Sequence, residues 1–284
     1  MLDQDEGLRF TTTPLRRRGL ARATATGLTT LAASLVLFST GARAEEPAAA
    51  TTEAAPAEAA APAEDTGPQF PGKFAGNVAL ISDYVFRGVS QTQEEPALQG
   101  GIDWSHESGA YFGTWGSNVK FPGDNSYLEQ DIYGGWATTV GDLSINLGAI
   151  FFWYPNAETA LNYWEFPVKL GYTMDAVTLS AGILYSPDYF GFAGNAMYAN
   201  LGVAYAMPLP DESPVGVTLD AGVGFTVAED DVITDGTYVD WGVGAKISAK
   251  GTWTNLAVTL RYTDTDIHGD DSDARFVYGV AYAF

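Results

Sequence analysis

The chain ends on ARFVYGVAYAF, residues 274–284, and this stretch alternates with period two up to its last position. Phe276, Tyr278, Val280, Tyr282 and Phe284 are large and apolar, while Val277, Gly279, Ala281 and Ala283 between them are mostly small. Successive side chains of a strand point to opposite faces, so the segment predicts a strand with one aromatic, apolar face. In water such a face is a liability. The outside of a membrane barrel requires it, because lipid solvates that surface and aromatic girdles sit at the interfaces. An edge strand of a soluble β-domain is the rival reading of this stretch alone.

The same period recurs from Lys73 onward. Twelve segments follow one another, near 73–88, 98–107, 109–121, 127–140, 142–154, 162–174, 176–186, 196–207, 216–228, 237–249, 252–263 and 275–284. Leu143-Ile145-Leu147-Ala149-Phe151-Trp153 and Val217-Leu219-Ala221-Val223-Phe225-Val227 show the alternation most clearly. The connections alternate too. Glu107-Ser108-Gly109, Gly141-Asp142, Met174-Asp175-Ala176 and Lys250-Gly251 are short. Longer polar stretches at 89–97, 122–126, 155–161, 187–195, 229–236 and 264–274 separate them, and only 208–215, with its three prolines, departs from the short set. Tight turns at one end and long loops at the other describe an outer-membrane barrel. An all-β, antiparallel, up-and-down transmembrane barrel of about twelve strands over 72–284 is therefore expected. An even strand count places both termini at the tight-turn end.

The first 71 residues read differently. Arg16 to Arg22 form a basic region, Gly27 to Phe38 an apolar one, and Ala42-Arg43-Ala44 a small-residue cleavage site, so 1–44 is expected to be an export signal. Residues 45–71 are rich in Ala, Pro and Glu and cannot bury enough surface to order themselves. They are expected to be a periplasmic leader. Beyond the N-terminal region no apolar run reaches the ~18 residues that a helical span needs.

Composition narrows the function classes. There is no cysteine, so neither disulfides nor thiolate chemistry is available. Formal charge is −21, which argues against a nucleic-acid partner. Without residues 1–44, 8 bases (14 minus 6) and 32 acids (35 minus 3) remain, a charge of −24. Two long loops concentrate the excess: Glu229-Asp230-Asp231 with Asp235, and Asp264, Asp266, Asp270, Asp271 and Asp273. An acidic mouth attracts cations and repels anions.

If the apolar face meets lipid, the other face lines a lumen. Parity then sends inward the acids Asp83, Asp103, Glu129, Asp131, Glu165, Asp220 and Asp240, and the bases Arg87, Lys120, Lys169, Lys246, Arg261 and Arg275. On the lipid face each such charge would cost ~2–4 kcal/mol at mid-membrane. Mutual pairing that narrows the interior and selection of a solute are both open readings of these charges. Gly134, Gly148, Gly182, Gly202, Gly222, Gly242 and Gly244 also fall on the lumen side. Twelve strands give a bore between the small filled barrels and the wide porins, so a narrow channel is expected.

No catalytic or cofactor constellation emerges. Asp264-x-Asp266-x-His268-Gly269 has the outline of a calcium loop, but Arg275 stands where a bidentate Glu is needed. Loose divalent bridging to lipopolysaccharide is the plainer expectation there. Ser105 and His106 are neighbours on a strand and so face opposite sides, which a hydrolytic pair cannot do. The seven tryptophans fall in strands, mostly near the ends and mostly with the lipid-facing parity, as interface anchors do.

Residues 77–104, NVALISDYVFRGVSQTQEEPALQGGIDW, followed by SGAYFGTWGSNV at 108–119, closely resemble the proteobacterial TorF family of porins, also described as a conserved family of unknown function. The signature is Ser82-Asp83-Tyr84-Val85-Phe86-Arg87-Gly88 with Ser90-Gln91-Thr92, then Pro96 to Gly100 and Trp115-Gly116-Ser117-Asn118. The resemblance implies an outer-membrane barrel and supplies no catalytic residue. The C-terminal strand also resembles the signal read by barrel-inserting machinery, which implies that machinery as a partner through Phe284. The combined expectation is a monomeric outer-membrane channel for small hydrophilic solutes, not an enzyme. A non-conducting structural or surface-binding barrel and an outer-membrane hydrolase are the alternatives. Asp83 and Arg87, four apart on one face of the first strand, are expected lumen partners.

Overall fold

A computed structural model describes residues 71–229, 236–251 and 254–284. The expected signal over 1–44 and all but the last residue of the expected leader lie outside the described residues, as do Asp230, Asp231 and Asp235. The strands run in chain order as β1 (Lys73–Ile81), β2 (Val85–Phe86), β3 (Val89–Ser90), β4 (Ala97–Ser105) and β5 (Ala110–Asn118). After them come β6 (Leu128–Val140), β7 (Leu143–Trp153), β8 (Tyr163–Met174), β9 (Val177–Ser186) and β10 (Ala196–Ala206). The last four are β11 (Val215–Ala228), β12 (Thr237–Ala249), β13 (Leu256–Thr265) and β14 (Arg275–Ala283).

Twelve of these strands close into one antiparallel barrel, each pairing with its neighbours in the chain, while β2 and β3 pair only with each other. The ring shuts where β1, already paired to β4, meets β14. Phe284 and Gly76 exchange two backbone hydrogen bonds of 2.8 Å at this seam. A Cβ on Gly76 would lie 2.6 Å from the Phe284 ring, so the last aromatic takes the space a side chain at 76 would need. Closure satisfies strand edges that neither lipid nor a soluble core would cover.

Alternation sorts the faces as the sequence predicts. On β8, Trp164, Phe166, Val168 and Leu170 are all more than 40% exposed, whereas Glu165 between them is 1% exposed. The outer surface is therefore an apolar band with tryptophan and tyrosine toward both rims. Gly141 at the β6–β7 turn has φ 62, the left-handed conformation a two-residue hairpin demands.

Three expectations change. The first strand stops at Ile81 rather than running to residue 88. Its alternation continues on paper, but the chain turns inward at Ser82, and 82–96 becomes a strap built on the β2–β3 hairpin, largely buried inside the barrel as far as Thr92 and exposed from Glu94 to Pro96. Trp115 is 2% exposed and points inward, unlike Trp136, Trp153 and Trp164, each more than 40% exposed. Its parity on β5 is opposite to that of outward Phe112. Gly134 shares the outward parity of Ile132 and Trp136 and lies beside the exposed Phe112 ring, so it does not line the lumen.

Candidate functional site

The strap explains most of what the interior does. Val85 pairs with Ser90 and Phe86 with Val89, leaving Arg87 and Gly88 as a two-residue loop with φ 50 and 82. Two positive φ values in sequence define the turn type that matches the twist of a hairpin. Glycine adopts it freely, but an arginine there is uncommon and costs backbone strain. The chain around the tip is tied by Asp83, whose Oδ1 accepts hydrogen bonds from Ser90 Oγ (2.6 Å) and Thr92 Oγ1 (2.8 Å). Arg275, first residue of β14, holds both ends: Nη1 reaches Asp83 Oδ2 at 3.0 Å and Nη2 reaches Glu94 Oε1 at 3.4 Å.

From this base the hairpin crosses the bore. A Cβ on Gly88 would lie 2.7 Å from Thr265 Cβ on β13 and 3.1 Å from Asp240 Cβ on β12, so the tip abuts that wall. The Arg87 guanidinium reaches β8, four strands from β4 in one direction and seven from β1 in the other. There Nη2 donates to both Glu165 oxygens, at 2.7 and 2.8 Å. The guanidinium carbon also lies over the rings of Tyr198 (4.1 Å), Phe86 (4.6 Å) and Tyr189 (5.4 Å). The side chains of Arg87 and Glu165 are 4% and 1% exposed, so the pair has left water. Such a pair is held by its geometry, because each partner alone would be an uncompensated buried charge.

Aromatic side chains fill the space around it. Tyr84 meets Trp115 edge-on at 5.5 Å, Phe86 meets Phe152 at 6.1 Å, and Phe152 stacks on Tyr163 at 4.3 Å. Tyr84 and Tyr154 each donate a 2.7 Å hydrogen bond to Glu129. Burial, and then the neighbouring Glu129 carboxylate, hold the Tyr154 phenol well above its ordinary range, so it remains a donor.

Toward the tight turns the lumen is built differently. Arg261 on β13 lies across Gly242 and Gly244 of β12 to pair with Asp220 on β11. A Cβ on Gly242 would stand 3.0 Å from Arg261 Nε, so the glycines make the floor on which the arginine rests. Tyr133 donates to Asp103 at 2.5 Å and Tyr111 to Asn146 at 2.9 Å. Lys169 and Lys246 are partly exposed on the inner face.

The charges expected to line the lumen therefore divide. Glu129, Asp131, Glu165 and Asp240 lie within four residues of the long-loop ends of their strands and are at most 2% exposed. Asp103, Lys169, Asp220, Lys246 and Arg261 lie at mid-barrel or toward the tight turns. Asp83 and Arg87 are inside the barrel but on the strap, and they are not partners: one meets Arg275, the other Glu165. Lys120 does not line the lumen. It lies past the end of β5, exposed at the rim, and pairs with Glu95 of the strap at 2.5 Å. The inward residues Tyr84, Trp115, Tyr154, Tyr189 and Tyr198 escape a parity argument based on charge. The polar run from Ser90 to Glu95 is the one sequence sign of a segment that is not wall.

Two loop carboxylates tie the rim. Asp124 is drawn up slightly by its small burial, but N–H donors of Ser126, Thr159 and Glu158 and the Thr159 hydroxyl hold it below the usual range. Hydrogen bonds from the Asn195 backbone and side-chain amides do the same for Glu229. Among the described residues no group of three or more His, Asp or Glu is placed to hold a metal. His106 stacks on Trp104 at 5.8 Å, and its Nδ1 lies 2.9 Å from Ser108 Oγ within its own turn.

A family model covering residues 65–281 matches this chain. The chain belongs to the Gcw_chp family, described as a bacterial protein of unknown function. No curated protein matches it. Among solved structures it is similar to the NanC porin, with TM-score 0.47 and 9% identity over 75% of this chain and 99% of that one. The KdgM porin gives TM-score 0.47 and 10% identity over 74% and 99%. LpxR from Salmonella typhimurium gives 0.43 and 10% over 74% and 99%. Likeness at this level says nothing about activity; the fold rests on the closed strand ladder itself.

Proposed function

We propose that the protein is a porin-like channel of the bacterial outer membrane for small hydrophilic solutes, narrowed at its long-loop end by the strap. The observation that carries this reading is the two-faced barrel. Its outside is a continuous apolar band and its inside carries the charges, an arrangement suited to hydrocarbon around and water within. The exported-type N-terminus and the resemblance of 77–119 to TorF porins support the same location. Insertion through the Phe284 strand and contact of the acidic loops with lipopolysaccharide belong to this proposal. The buried acids of the long-loop half favour cations over anions. The test is a planar-bilayer recording under a salt gradient. Small, discrete conductances with a cation-side reversal potential are expected, and anion selectivity would contradict the charge assignment.

A second reading has its own observation. Rings from the strap, β5, β7 and β8 pack into one buried cluster inside the barrel, and this favours a shut barrel with a structural or surface-binding role. The same recording separates the two: a native protein that inserts and never conducts supports the second.

A further inference from the structure

The cage around Arg87 is built mostly from the barrel wall. Glu165 belongs to β8, Tyr198 to β10 and Tyr189 to the loop after β9, so three of its walls belong to the barrel and not to the strap. The fourth, Phe86, travels with the strap. What remains is a buried carboxylate with both oxygens aimed inward, flanked by two aromatic faces. Asp240 stands beside it, its Oδ1 accepting the Tyr198 hydroxyl at 3.3 Å. A planar cation with a fork of N–H donors fits a carboxylate on two points, and rings at about 4–6 Å hold a cation by their faces. An anion would meet the Glu165 carboxylate, with Asp240 joined to the same cage through Tyr198.

We propose that this cage is a binding site for a small guanidinium or alkylammonium solute, and that Arg87 is its built-in surrogate. Two features mark Arg87 as a stand-in. It sits at a positive-φ turn position that favours Asn, Asp or Gly over arginine, beside a glycine that suits it. Its Nε is buried with no hydrogen-bond partner, so this one donor of the guanidinium goes unused in the cage. The energetics couple the strap to the solute. Withdrawal of Arg87 with nothing in its place leaves Glu165 buried and uncompensated, which the fold resists. Withdrawal with a solute cation in its place does not. The strap is then a gate whose opening is linked to occupancy by the cation it imitates. Binding itself needs only the cage; that displacement admits flow rests on the channel reading.

The probe is methylguanidinium, with urea as a neutral solute of similar shape. By calorimetry on detergent-purified protein, Arg87→Ala should bind methylguanidinium saturably and urea not at all. Arg87→Ala with Glu165→Gln should lose that binding. Native protein should bind at least about tenfold more weakly, because Arg87 competes at high local concentration. In native protein methylguanidinium should also speed amide exchange of residues 83–95, and urea at equal concentration should not. Equal response to both solutes, or undiminished binding without Glu165, overturns the proposal. If Arg87→Ala does not fold, the exchange experiment on native protein decides alone. Bilayer recording separates the two claims. Binding without current leaves the site standing and removes the channel, whereas current without binding does the reverse.

Discussion

Toward the long loops, the interior is filled by groups that have left water: Arg87 against Glu165, Glu129 between two tyrosines, and rings packed between the strap and β5, β7 and β8. Toward the tight turns the same sheet carries Asp220 and Arg261 with side chains 25% and 12% exposed, resting on glycines. One alternation rule put all these charges inside. What each charge meets there is decided by the strap, which enters only one half. The lesson is that inward polarity in a barrel does not by itself mean a wet lumen; a single in-folded hairpin turns half of it into a packed core.

The contrast can be broken by substitution. Glu165→Ala leaves Arg87 buried without its partner, and urea unfolding of the refolded protein should show a loss of about 3–5 kcal/mol. A loss below about 1 kcal/mol would mean that the pair is hydrated and the halves are alike. Tyr84→Phe removes a hydrogen bond to a buried carboxylate, and about 1.5–3 kcal/mol should go with it. Asp220→Asn touches a partly exposed pair, so its effect should stay within about 1 kcal/mol and shrink in high salt. A cost equal to that of Glu165→Ala would sink the comparison.

The smallest effect is at the rim. Asp124 has its folded value lowered, so its contribution is present above the ordinary carboxylate range and is lost as pH falls through that lowered value. Protection of the Glu158 and Thr159 amides, whose N–H groups it accepts, measured against their intrinsic exchange rates, should fall on acidification and leave the strap's protection unchanged.

Much of the barrel is legible in the residues because lipid demands an apolar side chain at every second position. Trp164-Phe166-Val168-Leu170 has no other solution, and Glu165 between them has nowhere to go but inward. The strap is illegible for the same reason. Tyr84 and Phe86 keep the alternation going past Ile81, and parity cannot tell a wall from a hairpin that imitates one. Arg87-Gly88 lacks the Asn-Gly or Asp-Gly pair that announces such a turn. Trp115 misleads because aromatic residues usually sit outside a barrel, and only the strap supplies it with an inner partner, Tyr84. The split between a closed and a wetter half depends on where along each strand a charge falls and on what reaches it from the far wall. Neither is written in local sequence.

Ile81 and Ala97 are direct partners on adjacent strands, so the strap can be excised without opening the wall. The decisive measurement is the single-channel conductance of a protein in which an Asn-Gly turn replaces residues 83–95, compared with the native barrel. A several-fold larger conductance, with the cation preference retained, is the predicted result. An unchanged conductance would show that the strap does not stand in the path.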